Sequence, residues 1–187
     1  MKIYSSLIAA AALVCASGTV LAAEPDTGAA AAYCQQTGGV VVKRVPVYNT
    51  NGPVSGWLQL SGERSFCKYT SPKDGSRIHI LLETLYTTKP SLAASAYYAQ
   101  LPLGTGCVGN PASCYCTQLG GSDSFGGITA AGGGWVGDDK PDTVLEACIL
   151  PDMSSIDSWG LTYYSQGIIR GIDLTTVMRY VPPTAKK

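Results

Sequence analysis

The 187-residue sequence contains few charged residues and a single histidine. Thirteen Lys and Arg residues balance thirteen Asp and Glu residues along the chain, so neither a nucleic-acid-binding surface nor a polybasic membrane anchor is predicted. The chain lacks the Gly-x-Ser-x-Gly pattern of serine hydrolases and the Gly-rich pattern of phosphate-binding loops. It also lacks a Cys-x-x-Cys pair with a nearby histidine, which argues against a zinc site. The sequence therefore predicts no cofactor and no metal.

The beginning of the chain has the layout of a secretory signal peptide. A short basic start at Met1-Lys2 precedes an apolar stretch from Leu7 to about Val20, which is too short to span a bilayer. Small residues suited to cleavage follow, so residues 1–22 are predicted to be removed. This places the mature protein in the periplasm or outside the cell. No later apolar run predicts an integral membrane segment.

The remaining sequence contains two similar blocks. Residues 33–39, YCQQTGG, return as residues 115–121, YCTQLGG. A Gly-Trp pair and then a further cysteine follow each block, at Trp57, Cys67, Trp135 and Cys148. A unit that recurs in this way indicates a duplicated folding unit.

Removal of the signal peptide removes Cys15 and leaves six cysteines, an even number that indicates disulfides in an exported protein. Six cysteines allow fifteen pairings. If each repeated unit closes on itself, the bonds are Cys34–Cys67, Cys116–Cys148 and Cys107–Cys114. Each of the two long loops would then stabilise its unit by about 3–4 kcal/mol in the chain-entropy model.

Two repeat units are predicted, residues 24–101 and 110–183, joined by a linker at 102–109. Each is expected to contain a short helix, an antiparallel β-hairpin or meander and a C-terminal helix. Asn110 before Pro111 is a strong helix-start signal in the second unit. The predicted fold class is therefore α+β, in two small disulfide-stapled units.

Some segments are ambiguous between strand and helix. Residues 78–83 and 156–161 follow turn-forming clusters, and the cap residues there favour helices. Residues 57–60 alternate apolar and polar side chains, which predicts a strand. Amphipathic stretches at 92–98 and 174–180 are expected to close the two units.

The second unit contains a distinctive set of residues, namely Asn110-Pro111-Ala112-Ser113, Tyr115-Cys116, Gly120-Gly121, Cys148 to Asp152 and Ile156 to Trp159. In these residues it resembles a family of exported bacterial domains of unknown function that carries a haemolysin label. The family favours glycine where this chain has Met153. The first unit is a weak second copy over residues 31–86, which lacks the Asn-Pro-Ala-Ser start. The resemblance implies export and a compact disulfide-bonded domain, and the label itself supplies no mechanism.

His79 is the only evident general base at neutral pH. Its isoleucine and leucine neighbours predict a partly buried segment. Asp157 occupies a comparable place in the second unit, so a histidine from one unit meeting a carboxylate from the other is one hypothesis. A structural histidine is the favoured interpretation, and no catalytic residue is predicted.

Trp57 and Trp135 stand at matched places in the two units. We expect them to pack in the hairpin cores. The alternative is a pair of exposed aromatic platforms for glycan or protein contact, since Trp is favoured in recognition surfaces.

Asp138, Asp139 and Asp142 form an acidic loop flanked by glycine and proline. Calcium binding there is one interpretation, although the spacing is not that of an EF-hand. A solvated acidic loop is the favoured one.

These observations predict an exported, non-catalytic binding protein of the bacterial envelope or secretome, inhibitor-like in one form. Its partner would be a protein or a cell-envelope component. One alternative is a membrane-active, haemolysin-like factor, although no long amphipathic helix with a basic face is visible. A second alternative is a small periplasmic hydrolase that uses His79.

Overall fold

The computed structural model describes residues 27–123, 131–138 and 142–183, which contain five helices and eight strands. The predicted signal peptide lies outside these residues. The helices are α1 (Thr27–Gln36), α2 (Leu82–Tyr86), α3 (Leu92–Ala99), α4 (Pro111–Gln118) and α5 (Ser158–Ser165). The strands are β1 (Val40–Tyr48), β2 (Leu58–Gln59), β3 (Arg64–Thr70), β4 (Arg77–Leu81), β5 (Gly133–Val136), β6 (Val144–Leu145), β7 (Ala147–Ile149) and β8 (Ser155–Asp157). Short 3₁₀ turns lie at Val54–Gly56 and Leu174–Thr176.

The strands form an antiparallel sheet that closes on itself. Its order is β6-β5-β1-β3-β4-β8-β7, and β2 is a further partner of β1. Only Glu146 separates β6 from β7 along the chain, so the two ends of this path are halves of one extended segment. The first half of β1 pairs with β3 and its second half with β5. The sheet therefore has an outer and an inner face.

The outer face of the sheet packs against the helices. Strand register aligns one row of residues across five strands, namely Val41, Cys67, Ile80, Ile156 and Cys148. These residues contribute to the main hydrophobic core with side chains from all five helices. Successive strand residues point to opposite faces, and the inner face holds a second, smaller core of Phe66, Leu81, Trp135, Leu145 and Ala147.

Three disulfides cross-link the chain. They join Cys34 to Cys67, Cys107 to Cys114 and Cys116 to Cys148. This is the pairing that self-closing units predict. The first and third lie in the main core, whereas the second closes a short loop before α4.

A Gly-Gly pair follows α1 and another follows α4, and both have the same two roles. The first glycine of each pair has a left-handed backbone, with φ +88° at Gly38 and +82° at Gly120, which favours glycine after a helix. The second glycine lies against the buried disulfide. A Cβ on Gly121 would approach a disulfide sulfur to 2.6 Å, and one on Gly39 would also collide with sulfur. A larger residue therefore does not fit at either second position.

The C-terminal segment, residues 166–183, lies across the helices and is held by tyrosine hydroxyls. Tyr98 donates its hydroxyl to the carbonyl of Tyr180 at 3.1 Å. The hydroxyl of Tyr97 accepts the backbone N–H of Leu174 at 3.2 Å. The segment also adds three side chains to the main core, Leu174, Val177 and Met178. Several of the eleven tyrosines therefore have a role in packing.

The prediction that helices begin near residues 78 and 156 is wrong. Both segments start as strands, β4 and β8, and the helices follow at Leu82 and Ser158. Ile80 and Ile156 pair with each other at the centre of the sheet. Tertiary pairing and burial of β-branched residues thus override the local cap signals.

Two further expectations are only partly met. Residues 92–98 are helical within α3, but 174–180 contain only one short 3₁₀ turn. The strand expected at 57–60 is limited to β2. The broader prediction of an α+β fold with an antiparallel sheet is confirmed.

Within the described part of the chain, the helices are all too short or too polar to cross a membrane.

Candidate functional site

His79 and Asp157 lie on neighbouring strands of the sheet. Because Ile80 pairs with Ile156 in the antiparallel register, the residues one position away face each other. Nδ1 of His79 is 3.5 Å from a carboxylate oxygen of Asp157. The hypothesis that these two groups meet agrees with this geometry, although the contact arises from strand pairing.

Arg44 is a third member of this cluster, which sequence reasoning did not identify. Its NH2 group lies 3.3 Å from Nε2 of His79. Its NH1 group donates to the carbonyl oxygens of Trp135 at 3.0 Å and Asp142 at 2.8 Å. The residue pattern of β1 does not mark Arg44 as buried, because Lys43 and Arg44 stand side by side there.

The donors and acceptors fix the tautomer of His79. A guanidinium group has no acceptor, so Nε2 of His79 accepts from Arg44 and the imidazole proton lies on Nδ1, facing Asp157. The other carboxylate oxygen of Asp157 accepts the backbone N–H of Gly160 at 2.9 Å and caps α5. A neutral imidazole thus bridges a cation and an anion.

Burial makes this cluster a structural cross-link. Arg44 and His79 are each 1% exposed and Asp157 is 6% exposed. His79 is therefore not accessible to a substrate in this arrangement. The three side chains join β1, β4 and β8 across the sheet.

The two tryptophans have different environments. Trp135 is 5% exposed and makes an edge contact with Phe66, with ring centroids 5.8 Å apart. Trp57 is partly exposed at the turn before β2, where its indole N–H donates to the carbonyl of Gly52 at 3.0 Å. Trp135 therefore packs in the inner core, whereas Trp57 closes a turn at the surface.

The acidic loop has one carboxylate that is already paired. Both oxygens of Asp142 contact the guanidinium group of Arg77. Asp138 is exposed, and Asp139 lies outside the described residues. Asp142 is thereby joined to the start of β4.

A partly open groove of about 670 Å³ lies beside α4. One wall is the chain before the helix, and the other is the exposed side of α4 with the residues that follow it. The lining residues are 103–108, Asn110, Ser113, Cys114, Thr117, Gln118, Ser122 and Asp123. A groove of this size is within the range of ligand sites in proteins.

Hydrogen bonds fix the walls of the groove. Gln118 joins the two walls, because its amide accepts the N–H of Gly104 at 2.7 Å and donates to the carbonyl of Pro102 at 2.9 Å. Ser113 donates its hydroxyl to the carboxylate of Asp123 at 2.8 Å. The groove is therefore preformed.

The start of α4 is equally well defined. The side-chain oxygen of Asn110 accepts the N–H of Ala112 at 2.9 Å, and Pro111 occupies the first helical position. The side-chain NH₂ of Asn110 donates to Glu146 in the segment that closes the sheet. The disulfide between Cys107 and Cys114 then holds the preceding loop against this first turn.

Comparison of the chain with family models, curated proteins and solved structures finds no match.

Proposed function

We propose that this protein is an exported, non-catalytic binding protein that holds a partner protein or a cell-envelope component in the groove beside α4. The observation that carries the proposal is a preformed groove of about 670 Å³ whose two walls are joined by Gln118. Val108, which lines the groove, is 92% exposed. An exposed apolar side chain beside a concave surface favours contact with a partner.

The three disulfides support export, because such bonds persist in an oxidising extracellular or periplasmic environment. Cleavage of a signal peptide at residues 1–22 is part of the proposal. A non-catalytic role is supported by the burial of His79.

Duplication of one folding unit is a further part of the proposal. It is supported by the two Gly-Gly pairs that contact buried disulfides. The strand pairing supports duplication as well, because the second cysteine of each unit pairs with an isoleucine on the next strand: Cys67 with Ile80, and Cys148 with Ile156. When the two units are aligned by these pairs, Ile80 corresponds to Ile156. Asp157 then faces His79 on the neighbouring strand and is not the residue that corresponds to His79 in the second unit.

Site-specific photo-crosslinking tests the proposed binding surface. A photoreactive residue replaces Thr117, which is exposed in the groove, or Lys73, which is exposed in the turn between β3 and β4. We expect a discrete crosslinked species in envelope or secreted fractions from position 117 alone. An excess of unlabelled protein should compete for the partner and reduce this crosslinked species, whereas unlabelled protein with Thr117→Arg should not.

The same species from both positions, or none from position 117, would contradict the proposed groove. Circular dichroism of each variant checks that the fold is retained. The Lys73 position is a suitable control because it lies outside the residues that line the groove.

A further inference from the structure

The three disulfides differ in their surroundings. Four cysteines are 0–1% exposed within the main core, namely Cys34, Cys67, Cys116 and Cys148. Cys107 and Cys114 are partly exposed, and both line the groove beside α4. A reagent in solution therefore has access to one disulfide of the folded protein and not to the other two.

The exposed disulfide also closes the smallest loop. Its cysteines are 7 residues apart, whereas the buried pairs are 33 and 32 residues apart. In the chain-entropy model a shorter loop gives a smaller stabilisation. Opening this bond leaves the other two disulfides in place, so the expected loss of stability is smaller than for either buried pair.

We propose that the Cys107–Cys114 disulfide is a thiol-exchange site, which takes a thiol-bearing ligand from the groove as a mixed disulfide on Cys107. The ligand class is a low-molecular-weight thiol or a cysteine-containing peptide. The groove lies directly against both sulfur-bearing residues. Exchange requires only this access, so it stands independently of the partner-binding function.

The atoms and electrons of the exchange balance with the thiol as the sole co-reactant. The ligand thiolate attacks Sγ of Cys107, a new S–S bond forms there, and the Cys107–Cys114 bond breaks. The electron pair of the broken bond leaves on Sγ of Cys114 as a thiolate. A second ligand thiol can then attack the mixed disulfide, which releases Cys107 as a thiolate and yields the oxidised ligand.

The position of Cys114 favours it as the leaving group. Cys114 lies in the first turn of α4, after the Asn110 cap, and its backbone N–H donates to the carbonyl of Asn110 at 3.0 Å. Thiolates are stabilised near helix N-termini, and a better-stabilised thiolate leaves faster. Cys107 precedes the helix in a loop flanked by Gly106 and Gly109, both with positive φ.

Glutathione and dithiothreitol are suitable probes for the oxidised mature protein under native conditions. After quenching with iodoacetamide, peptide mass spectrometry gives the state of each cysteine. We expect glutathione on Cys107 and a carbamidomethyl group on Cys114 at thiol concentrations at least tenfold below those that open the buried pairs. With dithiothreitol, Cys107 and Cys114 should both be alkylated over the same low range of thiol concentrations.

Opening of all three disulfides together would show reduction through global unfolding and would overturn the proposal. A first adduct on a core cysteine, or on Cys114 in place of Cys107, would overturn it equally. Thr117→Trp adds a bulky, uncharged side chain to the groove lining and should slow glutathionylation several-fold, whereas Lys73→Ala should leave the rate unchanged. Equal rates in these two variants would contradict access through the groove.

Discussion

His79 on β4 faces Asp157 on β8, with 3.5 Å between Nδ1 and the carboxylate oxygen, and Arg44 contacts the opposite edge of the imidazole. The three residues come from distant parts of the chain and meet on neighbouring or facing strands. The imidazole lies between the guanidinium group and the carboxylate, and all three side chains are buried. The cluster therefore joins the halves of the sheet.

Substitution in this cluster should destabilise the protein. We expect His79→Leu to lower the free energy of unfolding by about 2–4 kcal/mol, because it leaves Arg44 and Asp157 buried without this partner. Asp157→Asn retains a good helix cap and should isolate the loss of charge. A double-mutant cycle in denaturant should give a coupling energy of about 1–2 kcal/mol between the two sites.

The matched control is an exposed ion pair between β1 and the residue before β3. Lys43 lies 2.8 Å from Glu63, with side-chain exposures of 70% and 50%. Its removal by Lys43→Ala should leave the stability almost unchanged, because exposed ion pairs contribute little. A coupling energy near zero between His79 and Asp157 would contradict a cross-linking role.

The two tryptophans should respond differently to truncation. Trp135→Ala removes a buried ring from the inner core and is expected to cost about 3–5 kcal/mol. Trp57→Ala affects a partly exposed side chain and should cost clearly less. Denaturant unfolding of both variants measures the difference, and equal losses would count against the distinct environments of the two rings.

Tyrosine burial predicts a loss of stability at alkaline pH. Burial raises the pKa of Tyr97 well above its ordinary value of 10.0, and burial also raises the pKa of Tyr69 and Tyr115. Below pH 10 these phenols are neutral in both the folded and the unfolded chain, so their contribution is fully present. Above pH 10 the unfolded chain loses protons first, and the free energy of unfolding falls.

Phenolate absorbance followed against pH checks this prediction. A fraction of the tyrosines should ionise only together with unfolding, as followed by circular dichroism. Tyr97→Phe should reduce the alkaline loss of stability, at the cost of the hydrogen bond from Leu174. If all the tyrosines ionised near pH 10 while the protein stayed folded, burial could not be the cause of the alkaline loss of stability.

The glycines that contact the buried disulfides should be intolerant of alanine. Gly121→Ala would place Cβ 2.6 Å from a sulfur of the Cys116–Cys148 pair. We expect loss of this disulfide or a decrease in stability of more than about 2 kcal/mol, because backbone and sulfur must both move. Non-reducing peptide mapping and thermal unfolding measure the two effects.

Gly56→Ala is the matched control, since its Cβ would meet only the side-chain nitrogen of Asn49 at 3.3 Å. This change should leave all three disulfides intact. If Gly121→Ala also forms its disulfide and unfolds like the parent protein, close approach does not explain the glycine.

Local sequence signals predict much of the helical layer. Asn110 and Pro111 mark the start of α4, and the Gly-Gly pairs mark the ends of α1 and α4. These features depend on backbone chemistry within a few residues. The repeated spacing of cysteines likewise gave the disulfide pairing, because each long bond lies within one similar block.

Long-range pairing explains what the sequence did not predict. The register of Ile80 with Ile156 turned two expected helix starts into strands. Arg44 could not be identified as a partner of His79, because β1 and β4 are not adjacent in the sheet. The groove was also missed, since its walls meet through Gln118, whose two contacts depend on the path of the preceding loop.

Closure of the sheet through β6 and β7 has a consequence for the order of folding. The second half of β1 obtains its partner β5 only from residues 133–136, so an N-terminal fragment would leave backbone groups of residues 45–48 unpaired on that edge. Such an edge is a template for intermolecular association. Long sequence separation between paired strands also slows folding. The nascent chain is thus most prone to aggregation until its last third has joined the sheet.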